Sequence, residues 1–155
     1  MRIASSPVYL DTSALAKVYV PDPESARLEA ALLGRRDLVV ADLAVTELAS
    51  AILRRVREAE LLLDEAQRIY RRLLRDLEAG EYQRAELTPA VHRRAERLLL
   101  ALGHRVGLRA ADALHLALAT AAGARALLTF DRTLRAAARA LGIFELPEMN
   151  EVGRG

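Results

Sequence analysis

Cysteine is absent from this chain, and only three histidines are scattered along it. That excludes disulfides, thiolate metal ligands and a cysteine nucleophile, and it leaves a poor donor set for zinc. Any metal here would be held by oxygen. Long apolar runs are missing too. No stretch approaches the roughly 18 to 20 residues that cross a bilayer, and the start MRIASSPVYL lacks the apolar core and small-residue end of a secretory signal. The expectation is a soluble, cytoplasmic protein without a membrane partner. Lysine is nearly missing: one of 23 basic residues is Lys and the other 22 are Arg, an imbalance that lifts the pI to about 9.4 although the net charge is only +2. Arginine forks grip phosphate well. Arginines on solvated helix faces, set by a GC-rich coding bias, account for the same imbalance, so basicity by itself does not establish a nucleic-acid partner. Scarcity of Asn, Gln and Lys also hints at a thermophilic source.

What is present is ample apolar and charged material, 52% and 28% respectively, a globular composition in a chain long enough for one real core. A single domain over residues 1–155 is expected, with its core at about 7–146 and a loose tail over 147–155. Val8 to Leu10, Leu38 to Ala41, Ala126 to Phe130 and Ile143 to Leu146 read as short buried strands, and Tyr82 to Leu87 as a more polar strand at a sheet edge. Between them lie helical patterns. SALAKVYV ends at Pro21-Asp22-Pro23, ESARLEAALLG closes at Gly34, Asp42 stands where it can cap a helix running to about Glu58, and residues 64–79 end at Gly80. Thr88-Pro89 opens a helix to Leu102, residues 110–122 form a small-residue apolar helix, and Asp131 precedes a helix to about Leu141. Strands alternating with helices predict an α/β fold: a central, mostly parallel sheet with helices on both faces.

In such sheets ligands bind beyond the carboxyl ends of the strands, where strand order reverses. Asp11 directly follows the strand VYL, and Asp131 follows ALLTF, so both belong to one rim if those strands are parallel. Either also serves as a helix cap. Asp11, Thr12 and Ser13 are three consecutive candidate caps where a helix needs one. Glu47 lies in ADLAVTELASAIL with Leu43, Ala44, Ser50 and Ala51 as its helical neighbours and no basic partner, so it either reaches solvent or turns into a polar pocket. Asp112, in RAADALHLALATAA, has Arg109 available as a partner and a place in the first helical turn that suits the helix dipole. His115 reads as a buried polar residue and not a ligand, since no second His stands at metal-binding spacing.

Four carboxylates from four segments that share one pocket need protons or a cation. Hard oxygen ligands without Cys or His suit Mg²⁺ or Mn²⁺. Ser13 and Thr129 can orient the ligands through hydrogen bonds. Such a site can activate water and neutralise charge on a phosphodiester, which makes hydrolysis of nucleic acid the natural reaction class. Lys17, Arg109 and Arg132 are candidates for holding phosphates.

Taken with their order, these blocks resemble the PIN-domain ribonucleases, in particular the VapC toxins of toxin–antitoxin pairs, along about residues 7–146. LDTSALAK is similar to the opening motif, with Asp11 and its hydroxyl partner Ser13. VTELASA is similar to the second and carries Glu47, RAADALHLALA to the third at Asp112, and LLTFDRTL to the fourth, with Thr129 and Asp131. The resemblance implies a PIN-like fold, Mg²⁺- or Mn²⁺-dependent endonucleolytic cleavage of RNA at Asp11, Glu47, Asp112 and Asp131, a cognate antitoxin that blocks the acidic pocket, and a homodimer. It also implies that Asp131 is the least dependable direct ligand of the four.

Other readings are a housekeeping PIN nuclease without an antitoxin, or a catalytically idle PIN-like binding module. A receiver domain would carry a lysine after a late strand, whereas Lys17 lies in the first helix. A haloacid-dehalogenase-type phosphatase would place a second Asp where Ser13 stands.

Overall fold

A computed structural model describes residues 6–20 and 22–146 of the chain. Its strands are β1 (Val8–Leu10), β2 (Leu38–Ala41), β3 (Gln83–Ala85), β4 (Ala126–Leu128) and β5 (Phe144–Leu146). Its helices are α1 (Thr12–Tyr19), α2 (Ser25–Leu32), α3 (Asp42–Arg57), α4 (Leu63–Glu78), α5 (Pro89–Val106), α6 (Ala110–Ala121) and α7 (Arg132–Ala140). The tail expected to be loose, residues 147–155, lies outside the described residues.

The strands form one sheet in the order β3-β2-β1-β4-β5, and every neighbouring pair is parallel. From β1 the chain builds outward through β2 to β3, then returns to the other side of β1 to add β4 and β5. Strand order therefore reverses beside β1, and the register Leu10↔Leu128 brings the ends of β1 and β4 level. The polar strand expected at an edge is an edge strand, β3.

Alternation along the strands divides the core. Val8, Leu10, Val40 and Leu128 point to one face, where Leu15, Leu28, Leu48 and Leu73 from α1, α2, α3 and α4 cover them. Tyr9, Val39 and Leu127 point to the other, covered by Val91, Leu116 and Leu134 from α5, α6 and α7. Strands buried on both faces explain why their sequences are continuous apolar runs. Gly34 and Gly80 hold φ of 74° and 78°, the left-handed conformation that ends α2 and α4.

Strands β3 and β4 are shorter than expected, and two helix ends also differ. Asp42 does not cap α3; Ala41 is the cap residue without a side-chain bond, and the Asp42 carboxylate accepts from the Arg84 guanidinium on β3. The helix α5 continues past Leu102 to Val106 and ends only where Gly107 turns left-handed, at φ 69°.

Candidate active site

Asp11 leaves β1 and caps α1, its Oδ1 accepting from the Ala14 N–H at 2.9 Å. It is buried, at 4% exposure. Capping is one of several bonds: Ser13 Oγ donates to the same oxygen at 2.7 Å, and Thr129 Oγ1, just beyond β4, donates to Oδ2 at 2.5 Å. The hydroxyls are themselves anchored, since the Phe130 N–H donates to Ser13 Oγ at 2.9 Å and the Asp131 N–H to Thr129 Oγ1 at 3.0 Å. This explains why β4 stops at Leu128 and not at Phe130. The next backbone groups turn out of the ladder to hold the site.

Of the three consecutive candidate caps, only Asp11 caps. Thr12 Oγ1 donates instead to Glu47 Oε1 at 2.7 Å. His115 Nε2 lies 2.6 Å from the same oxygen, and His115 Nδ1 lies 2.7 Å from the Tyr9 hydroxyl. The self-consistent arrangement has Tyr9 donating to Nδ1 and the Nε2–H donating to Glu47. Tyr9 faces the α6 side of the sheet and Glu47 rides on α3 from the opposite layer, so His115 bridges the two helical layers across the carboxyl end of β1. The histidine is buried, at 4% exposure.

Asp131 caps α7 through the Leu134 N–H at 2.8 Å. Asp112 Oδ2 accepts from the Arg109 N–H at 3.0 Å. The partner expected from the Arg109 side chain is thus its backbone. Three of the four acidic residues therefore sit at helix N-termini, whose partial positive charge favours carboxylates.

Burial raises the Asp11 carboxyl above the usual range, against the bonds from Thr129, Ala14 and Ser13 and the nearby His115, which lower it. Glu47 is held below its usual value, chiefly by the bond from His115, against the effect of burial. The Tyr9 phenol is raised well above its usual value by burial and then by the charges of Asp11 and Glu47, so it keeps the proton it donates.

Ser13 and Thr129 thus contact Asp11, and Glu47 joins the network through Thr12, the residue between Asp11 and Ser13. Asp131 joins through its backbone. Asp112 is one helical turn before His115 on α6. Among the described residues, no three acidic or histidine side chains stand together at ion-holding spacing. In kind the donors suit a hard divalent cation: they are carboxylate oxygens, and the most buried, Asp11, is disfavoured as an isolated charge. An ion of the Mg²⁺ type keeps several waters and takes one or two carboxylates plus substrate phosphates, so a closed protein cage is not required.

Among the phosphate-binding candidates, Lys17 is already engaged, its Nζ 2.5 Å from Asp22 and 4.7 Å from the centre of the Phe130 ring. Arg109 and Arg132 are exposed at the starts of α6 and α7. Tyr9, Thr12 and the bridging part of His115 escaped the sequence reading. A signal was available for His115, because Asp112 and His115 are three apart and share a helix face.

A parallel sheet with helices on both faces and carboxylates where the strand order reverses defines an open α/β class, in which that rim is the usual place for ligands. Within that class the chain belongs to the PIN domain family, which it matches over residues 8–140. It is 34% identical over 127 residues to Ribonuclease VapC3 of Pyrobaculum aerophilum, covering 81% of this chain and 89% of the relative. Its fold is also that of Mycobacterium tuberculosis VapC20, a sarcin-ricin loop cleaving toxin, with a TM-score of 0.68 at 15% identity over 84% of this chain and 94% of the other. FitAcB of Neisseria gonorrhoeae superposes with a TM-score of 0.65 at 20% identity, covering 90% and 96%.

Proposed function

We propose that the chain is an endoribonuclease dependent on Mg²⁺ or Mn²⁺, the toxin of a toxin–antitoxin pair acting in the cytoplasm, with a cognate antitoxin protein and a second copy of itself as partners. The observation that carries the reading is Asp11: a buried carboxylate at the end of β1, oriented by a hydroxyl from its own helix and another from beyond β4. The likeness to Ribonuclease VapC3 supports the substrate class.

Asp11, Glu47, Asp112 and Asp131 would hold the ion. Bound there, the cation supplies neutralising charge at the phosphodiester and makes an attacking water more acidic. The chain's own part is orientation. Ser13 and Thr129 fix both oxygens of Asp11, Thr12 and His115 fix one oxygen of Glu47, and backbone donors at α6 and α7 fix Asp112 and Asp131. Side chains locked in this way need little rearrangement when substrate arrives.

The test is cleavage of labelled RNA by the purified chain. Cleavage with Mg²⁺ or Mn²⁺ that stops with EDTA and is lost in Asp11→Asn is expected; EDTA-resistant cleavage, or full activity in the variant, overturns the reading. The absence of three acids at ion-holding spacing among the described residues favours a second reading, an idle binding module. RNA bound but left intact with either metal would establish it.

A further inference from the structure

The first helical turn of α1 and one face of α3 enclose a cleft of about 280 Å³ lined by Thr12, Glu47, Ser50, Ala51, Arg54 and Arg57. The five α3 residues recur at intervals of three and four, so they form one stripe along the helix. Glu47 stands at one end. Ser50 and Ala51 are small and keep the floor low, and the far end carries two guanidiniums with no carboxylate between them. Arg54 and Arg57 are exposed and form no ion pair among the described residues, whereas Arg55, between them in sequence, is bonded to Glu60 at 2.8 Å.

A rise of 1.5 Å per residue sets Arg54 and Arg57 about 10 and 15 Å beyond Glu47 along the helix axis. Long helical side chains lean toward the N-terminus, which brings both heads back toward the cleft. A low trough leading from a carboxylate to paired, uncommitted arginines fits a chain of phosphates whose reacting member lies beside the acids.

Resting on the nuclease reading, we infer that Arg54 and Arg57 form an RNA-backbone track that grips phosphates flanking the cleaved bond. Cations in the last turn of α3 also complement its helix dipole. That role would require neither an open cleft nor a common face with Glu47. A larger groove of about 680 Å³ along α4 carries Arg68, Arg71, Arg72 and Arg75, but it borders Tyr19 at the far end of α1. There Arg68 is bonded to Asp64 and Arg72 lies over the Tyr19 ring.

The experiment measures binding of a fluorescein-labelled single-stranded RNA to the full chain across a salt series, in a cleavage-deficient Asp11→Asn background. Arg54→Gln with Arg57→Gln is compared with Arg71→Gln with Arg75→Gln, and with Arg54→Lys with Arg57→Lys. Loss of two phosphate contacts should reduce the slope of log K against log[salt] by about 1.4, at about 0.7 per contact for single strands. Affinity should fall at least tenfold at low salt, with the lysine pair recovering most of the slope. With Asp11 restored, KM for RNA should rise more than kcat falls in the α3 glutamine pair.

An unchanged slope in the α3 glutamine pair, with wild-type RNA cleavage intact, overturns the track and leaves the nuclease standing. Equal losses from the α3 and α4 pairs would mean diffuse charge and also overturn it. Normal RNA binding with lost capture of a co-expressed antitoxin would assign these arginines to a protein partner. If wild type cleaves nothing with either metal, the nuclease reading falls, and the track as a substrate path falls with it.

Discussion

At the scale of single residues, the balance between burial and hydrogen bonding at Asp11 sets the pH behaviour of the metal-free protein. Its carboxyl is raised from the ordinary 3.8 by burial, so the folded state holds a proton that the unfolded chain has lost over the interval between the two values. Stability from this group therefore falls as pH rises through that interval, and the penalty is complete above the raised value. Glu47 has the opposite sign. Lowered from 4.5, it contributes stability that is present above its unfolded value and lost as pH falls through its folded one. Asp11→Asn isolates the first effect. In EDTA, its melting temperature should exceed that of wild type by a margin that grows from acidic to neutral pH; a constant margin would mean that the folded carboxyl is not raised. His115→Ala removes the acceptor of the Tyr9 hydroxyl and a donor to Glu47, at a cost of about 1–3 kcal/mol by denaturant unfolding. It should also weaken Mn²⁺ binding by roughly 10- to 100-fold. His115→Gln, whose amide can still donate to Glu47, should recover much of the metal affinity even where it does not recover stability.

At the scale of elements, α5 shows where local sequence rules stop short. Gly103 follows Leu102, where the sequence reading ended the helix, yet it lies inside a helix continuing to Val106. A glycine in a helix interior costs roughly 0.5–1 kcal/mol relative to alanine, and a Cβ added at Gly103 would meet only the Leu108 carbonyl oxygen at 3.9 Å, an ordinary contact. Gly103→Ala is therefore expected to stabilise the protein by about 0.5–1 kcal/mol in a denaturant titration. A destabilised variant would show that this turn needs glycine for packing. The start of the same helix was legible because periodicity and end signals agreed there: Thr88 caps α5 through the Val91 N–H at 3.2 Å, with Pro89 at its first position. Asp42 was misassigned because its bond to Arg84 joins residues 42 apart in sequence, a relation that no local pattern contains. The same limit hid Thr12 and Tyr9. Their partners Glu47 and His115 lie 35 and 106 residues away, whereas Asp11 was legible because it stands at the end of an apolar strand.

At the scale of the whole molecule, the parallel sheet sets Asp11 and Asp131 at the ends of neighbouring strands although they are 120 residues apart, and on the proposed metal-dependent reading ion binding at that rim would couple to folding. An ion that binds the folded chain and not the unfolded one stabilises it by RT ln(1 + [L]/Kd), about 2.7 kcal/mol at one hundred times Kd. For a protein of this size, that corresponds to a rise of roughly 5–10 °C in melting temperature. Addition of Mn²⁺ to EDTA-treated protein should produce such a rise, reversible by chelator and much reduced in both Asp11→Asn and Asp112→Asn. Asp112→Asn should also lose about 0.3–1 kcal/mol of metal-free stability, because it removes an anion from the N-terminal turn of α6 while leaving an oxygen to accept from the Arg109 N–H. The two variants therefore separate local from collective electrostatics. A metal shift that survived in both would place the bound ion away from this rim, whereas loss of the shift with opposite changes in metal-free stability is the outcome expected if one buried acid and one helix-capped acid serve a common cation.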